Sequence, residues 1–360
     1  MITLPGLIDP HVHLREPGQT EKEDFYTGTC AAIAGGFTTV IDMPNNPTPI
    51  TTLARLEEKK ALAREKTVAD IGFHFGTLGN NLDEFTKVTR KVFGLKIYLN
   101  HTTGDFLIGT DKLRAIFTAW KLAQTSSLHS NRVQSKPILL HAEGKMIETI
   151  LAVTKETGVP THICHVSSEN ELTPIMKAKE QGLPVTCGVT PHHLFLTEDD
   201  AKQLGSLGMM KPELKTKKDV EFLWKNLKAI DIVESDHAPH TIHEKQVNPP
   251  AYGVPGLETT LPLLLNAVSQ NRLTMDDIVR LCYEGSSKIF CITNDLHTNI
   301  EIDPNVEYEI KNENLFTKNK WSPFDGWKVK GKLQKVFLRG EKVFENGEIL
   351  VKAGSGRLIP

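Results

Sequence analysis

The sequence predicts an α/β protein, a (β/α)8 TIM barrel with a small C-terminal β appendage. Three observations predict it. Eight short apolar, β-rich runs alternate with amphipathic helical stretches. The glycine-rich phosphate fingerprint of a doubly wound sheet is missing after the first run. Beyond about residue 300 the pattern becomes a plain alternation of apolar and polar residues, as in antiparallel strands. At 360 residues the chain exceeds the usual domain of about 150, which barrels routinely do. We therefore expect residues 1–300 to form the barrel and residues 301–360 a β extension packed on it.

The first unit is the strand GLIDPHVHL with the helix DFYTGTCAAIAGG, and the second is TTVIDMP with LARLEEKKALAREK. DIGFHFG, LKIYL and PILLHAE supply strands three to five, THICHV the sixth, PVTCGVT the seventh and IDIVESD the eighth. ELTPIMKAKEQG and DVEFLWKNL are helical segments between the later strands. Residues 125–136 are polar and read as an exposed loop, and IHEKQVNPPAYGVPG as a long loop after strand eight. In the appendage the Asn346-Gly347 pair favours a type I′ hairpin.

Composition excludes several classes. With 39% hydrophobic residues, 24% charged and a formal charge of -2, the chain has no field that would gather nucleic acid. No apolar run approaches the roughly 18 to 20 residues that span a bilayer, and no secretory signal is visible, so a cytoplasmic location is expected. The five cysteines form no CxxC pair and suggest neither disulfides nor a zinc ribbon. The 14 histidines, by contrast, cluster in HVH, HICH, PHH and SDHAPHTIH.

Residues i and i+2 of a strand share a face, so His11 and His13 can both look into the barrel, a good half of a divalent metal site. Lys96 sits among apolar residues, where a bare ammonium is costly to bury. His141 and His165 each end an apolar run, and Asp236 closes IVESD. Singly, each reads as structural. Together the six fall at the carboxyl ends of strands 1, 4, 5, 6 and 8, the rim where barrel enzymes build active sites. Arg15, two residues beyond His13, is a fixed cation suited to pairing with a carboxylate.

GLIDPHVHLREPG, AAIAGGFTTVIDMPN, GLKIYL, LLHAE, HICHVS and SDHAPH together resemble the metal-dependent cyclic amidohydrolases over nearly the whole chain. HLREPG, MPN and PGLET favour the dihydroorotases among them, above all the dihydroorotase domain of multifunctional pyrimidine-synthesis proteins. The resemblance implies two Zn2+ bridged by a carboxylated Lys96, with His11, His13 and Asp236 completing one site and His141 and His165 the other. It implies reversible cyclisation of N-carbamoyl-L-aspartate to L-dihydroorotate through a hydroxide shared by the metals, with Asp236 as proton shuttle. Arg15, Asn45 and His240 would hold the substrate carboxylate. Tyr252, Gly253 and Lys211 would make further substrate contacts, and Thr102 would face substrate from a lid. A homodimer in the cytoplasm, possible association with aspartate transcarbamoylase, and no nucleic-acid or membrane partner complete the expectation.

The sequence departs from this pattern in places. The animal proteins hold a third metal with the cysteine of HICH and a glutamate after VTC; here Cys164 is present but Gly188 takes the glutamate's place, so two metals and a buried Cys164 thiol are expected. Thr103 stands where the lid usually has phenylalanine. Met1 lies only a few residues before the first barrel strand, so a reduced appendage is expected. Two other readings compete: a different cyclic amidohydrolase of allantoinase or hydantoinase type, and a catalytically silent scaffold domain. The six intact metal-ligand candidates argue against the scaffold.

Overall fold

A computed structural model describes residues 1–101, 106–126 and 135–360. Eight parallel strand segments make the barrel wall: β2 (Leu7–Val12), β3 (Phe37–Asp42), a third broken into β4 (Asp70–Phe73) and β5 (Phe75–Gly76), β6 (Leu95–Tyr98), β7 (Ile138–His141), β8 (Thr161–Ile163), β9 (Val185–Val189) and β10 (Ile232–Val233). They pair in sequence order, β2-β3-β4 and β5-β6-β7-β8-β9-β10. A bridge between Val12 and His237, with His13 N donating to His237 O at 2.8 Å, brings the last strand back to the first. Seven of the eight fall within the runs picked out above, and β3 starts one residue earlier, at Phe37, than the run TTVIDMP. Each is buried almost throughout, as expected where helices cover one side and neighbouring strands fill the other.

Ile8, Ile41, Leu139 and Ile232 pack together in the barrel interior and plug it, so polar side chains gather towards the carboxyl rim. The helices follow local sequence chemistry. Asp24 accepts from Thr27 N at 2.8 Å in a capping box before helix Phe25–Ala34, and Thr52 caps helix Leu53–Lys66.

The appendage is a five-stranded antiparallel sheet ordered β1-β11-β12-β13-β14, in which β1 is Ile2–Pro5, β11 Asn299–Glu309, β12 Lys328–Leu338, β13 Glu341–Glu345 and β14 Glu348–Ile349. This corrects two expectations. Ile2–Pro5 was expected within the barrel unit but is hydrogen-bonded to Asn299–Ile302. A four-residue run ending in proline carries no usable alternation, and its partner is remote in sequence. The final residues also leave the appendage, since Ile71 N donates to Arg357 O and Ile359 N to Ile71 O. The Asn346-Gly347 turn has φ of 50° and 92°, the positive pair that a type I′ turn requires.

The long loop expected after strand eight contains a short helix, Ile242–Gln246, started by a capping box between Thr241 and Glu244. Of the loop expected at 125–136, residues 125 and 126 end helix Leu113–Ser126, and 127–134 lie outside the described residues. Thr102 and Thr103 lie outside them as well.

Candidate active site

The carboxyl ends of the strands bring the six predicted ligands together. His11 belongs to β2 and His13 follows it, their rings 5.3 Å apart. Asp236 comes over from the end of strand eight, placing Oδ1 3.1 Å from His13 Nε2 and 3.3 Å from His11 Nε2. His141 ends β7 and His165 lies just beyond β8; Nδ1 of the first faces Nε2 of the second at 3.0 Å. The His11 and His165 rings, 5.3 Å apart, join the two groups. Three of the residues at this rim, Arg15, His165 and Asp236, have positive φ of 64°, 38° and 44°. For side chains other than glycine this costs roughly 1–3 kcal/mol each and persists only where surroundings enforce it.

Lys96 on β6 is fully buried. Its Nζ lies 3.2 Å from Cys164 Sγ and 4.9 Å from the centre of the Tyr98 ring, and among the described residues no carboxylate pairs with it. It lies beside the cavity rather than lining it. Cys164 is the buried thiol expected, pushed up to about 12 by burial.

The donor set fits a divalent cation. Burial lowers His13 and His141 to about 3 and His165 well below its ordinary value, so these imidazoles are neutral and offer lone pairs. Burial opposes ionisation of Asp236, but its contacts with His11 and His13 outweigh that and hold its carboxyl below the usual range. Among the described residues His141 Nε2 and His165 Nδ1 are buried without a hydrogen-bond partner, as nitrogens kept for a ligand would be. Ligand atoms of His11, His165 and Asp236 lie within 4.8 Å of one another, as do those of His11, Cys164 and Glu234. Neutral imidazoles with an ionised carboxylate suit several divalent metals.

Above the histidines a cavity is lined by Arg15, Asn45, Lys211, Tyr252 and Gly253 among the predicted substrate contacts. Arg15 is held by Pro239 O, 3.0 Å from its Nε, and by His240 Nε2, 3.1 Å from its Nη2. Two of the predicted carboxylate contacts also have partners within the protein. His240 is buried behind Arg15, between Tyr252 O at 3.0 Å and Glu244 Oε2 at 3.3 Å, and does not line the cavity. Asn45 places Oδ1 2.6 Å from His13 Nδ1, which draws the ring proton to Nδ1 and leaves the lone pair on Nε2, the nitrogen that faces Asp236. Lys211 Nζ bonds Glu213 at 2.6 Å and sits 5.1 Å from the centre of the Tyr252 ring.

The Tyr252–Gly253 loop is fastened from behind. The ammonium of Lys245, fully buried, donates to Met209 O, Ala251 O and Gly253 O at 2.7, 2.9 and 3.1 Å, and Trp321 Nε1 donates to His240 O at 2.8 Å.

Sequence reading missed Tyr98, which lines the cavity, and Glu234, which bonds His11. Both carried a signal: Tyr98 stands two residues after Lys96 and Glu234 two before Asp236, the same spacing that singled out His11 and His13.

Comparison with known proteins gives concordant matches. The model of the Amidohydrolase family matches residues 2–287. The multifunctional protein CAD of Squalus acanthias is 43% identical over 359 residues, 99% of this chain but 16% of that protein's length. A dihydroorotase of Pyrococcus horikoshii is 38% identical over 370 residues, covering 99% of this chain and 84% of the relative. Among solved structures, the L-hydantoinase (dihydropyrimidinase) of Arthrobacter aurescens superposes with a TM-score of 0.92 at 25% identity, covering 99% of this chain and 88% of that one. The inactive dihydroorotase-like domain of a CAD-like multifunctional protein from Chaetomium thermophilum gives 0.83 at 25% identity, covering 100% and 99%.

Proposed function

Because this chain belongs to the amidohydrolase family, we propose that it is a dihydroorotase that reversibly cyclises N-carbamoyl-L-aspartate to L-dihydroorotate in pyrimidine synthesis. The observation that carries the reading is the convergence of His11, His13, His141, His165 and Asp236 under a cavity whose wall includes Arg15.

Two zinc ions, when bound, would polarise the reacting carbonyl and make water a nucleophile at neutral pH. His11, His13 and Asp236 would hold one ion and His141 and His165 the other. Lys96 would help to hold them as a carbamate: its ammonium would lose one proton, the resulting amine would add CO2 and release a second, and a buried cation would become an anion. Asp236, ionised and touching both N-terminal histidines, would take the proton that the attacking water loses on the ring-opening path and give it to the leaving nitrogen; in the reverse direction it would accept one from the ureido nitrogen and return it to the departing water. Arg15, fixed by Pro239 and His240, holds the ring carboxylate.

The TM-score to an L-hydantoinase, higher than to the dihydroorotase-like domain, favours a hydantoin-type substrate as the second reading. Identity over most of a dihydroorotase and the buried Arg15 favour the carboxylate-bearing ring. The likeness to an inactive domain is set against a complete ligand set. The same reading includes a homodimer in the cytoplasm with aspartate transcarbamoylase as a neighbour; among the described residues no helix is long and apolar enough to cross a membrane.

Steady-state turnover of dihydroorotate, hydantoin and allantoin, together with a metal count, tests the assignment. Preference for dihydroorotate with about two zinc per chain is expected. Preference for either other ring would replace the substrate, and a chain that stays metal-free and inactive in excess zinc would refute the enzyme.

A further inference from the structure

Glu234 is fully buried two residues before Asp236, and each of its carboxylate oxygens has a separate task. Oε2 lies 3.0 Å from His11 Nδ1, and Oε1 accepts from the backbone N–H of His165 at 2.5 Å. One carboxylate therefore touches a histidine from each of the two groups. The space it fills exists because residue 188 on the neighbouring strand is glycine: a Cβ there would lie 2.4 Å from Glu234 Oε1 and 2.7 Å from its Cδ.

Both contacts bear on metal binding. A neutral imidazole carries its proton on either nitrogen. If His11 carried it on Nε2, the ring would donate to Asp236 Oδ1, 3.3 Å away, and Nε2 would have no lone pair left for a cation. An ionised carboxylate at Nδ1 draws the proton to that side and leaves Nε2 open. His165 has a different need. Its backbone is in the left-handed region, φ 38°, and that conformation aims its Nε2 at His141 Nδ1. The bond from its N–H to Glu234 holds the turn in place.

We propose that Glu234 is a positioning residue of the metal centre, setting the tautomer of His11 through one oxygen and the backbone of His165 through the other. The inference rests on the metal-centre reading above and is independent of the substrate.

The test is zinc affinity of the full chain, measured by chelator competition, for the parent, Glu234→Gln and Gly188→Ala. The first substitution neutralises the carboxylate. The second leaves Glu234 intact but drives a methyl into its oxygen, so it reports on placement even if the first does not fold. A loss of roughly 10- to 100-fold in affinity is expected for both, the usual effect of removing a partner behind a metal-bound histidine. A merely structural role would lower the melting temperature of the metal-free protein and leave affinity alone; affinity within twofold of the parent in the folded variants overturns the proposal. A parent that binds zinc tightly, and more weakly in both variants, yet does not turn over dihydroorotate, would uphold this inference while removing the substrate assignment.

Discussion

Metal-free protein should lose stability steeply once the pH falls below about 6.5. Burial holds a set of imidazoles below their ordinary value of 6.5: His13, His74 and His141 at about 3, His192 and His240 at about 4, and His165 and His193 well below it. Each is neutral in the fold but takes up a proton near pH 6.5 when unfolded. The stability each contributes is therefore complete above that pH and is lost as the pH falls towards the folded value. Between pH 7 and 5.5 the loss is roughly 1.2 kcal/mol for each of the seven imidazoles, on the order of 8 kcal/mol for the set. Asp9 and Glu258 run the other way, because burial pushes their carboxyls up to about 7 and about 8. They return ~3 kcal/mol over the same interval. The net loss, about 5 kcal/mol, rivals the whole stability of an ordinary domain, ~5–15 kcal/mol. Urea unfolding of chelator-treated protein across this range measures it directly. His13, His141 and His165 are candidate ligands, so added zinc should hold them unprotonated and flatten the curve. An unfolding free energy constant to within about 1 kcal/mol between pH 7 and 5.5 would refute the reasoning.

Other outcomes follow from single contacts. Arg15→Ala should raise KM for dihydroorotate roughly 10- to 150-fold, the equivalent of ~1.5–3 kcal/mol for a hydrogen bond to a charge, and leave KM for hydantoin within about twofold; equal effects on both rings would show that Arg15 does not read the carboxylate. Lys96→Met keeps the buried stem but removes the amine that CO2 would modify, so zinc content measured by atomic absorption should fall from about two to one or fewer per chain. Lys245→Met removes three hydrogen bonds to carbonyls of the loops that carry Met209, Ala251 and Gly253. At about 1 kcal/mol net for each bond, ~3 kcal/mol in all, it should raise KM by up to roughly 150-fold with zinc content unchanged, as steady-state kinetics and a metal count would record.

The barrel was legible because its strands are short, apolar and separated by helices with a different period, a local signal that survives without knowledge of partners. The site was legible for the same reason. His11, His13, His141, His165 and Asp236 end such runs, and the carboxyl ends of parallel strands in a closed barrel share one rim. What failed to show in the sequence depends on contacts remote along the chain. Ile2–Pro5 is too short to declare its sheet, and its partner begins at Asn299. Glu234 reads as an ordinary acid beside Asp236 until the empty space at Gly188 is seen. His240 differs in depth: a histidine four residues past a ligand can face a cavity or stand behind Arg15, and the turn of the chain decides. Asn45, taken for a substrate contact, also touches His13, because the loop after β3 ends beside the loop after β2.

The pairing of β1 with β11 joins segments separated by about 300 residues of chain. During synthesis, Ile2–Pro5 must therefore wait as an open edge while the entire barrel emerges from the ribosome. A nascent chain interrupted before Asn299 would offer that edge to other chains, the usual seed of aggregation.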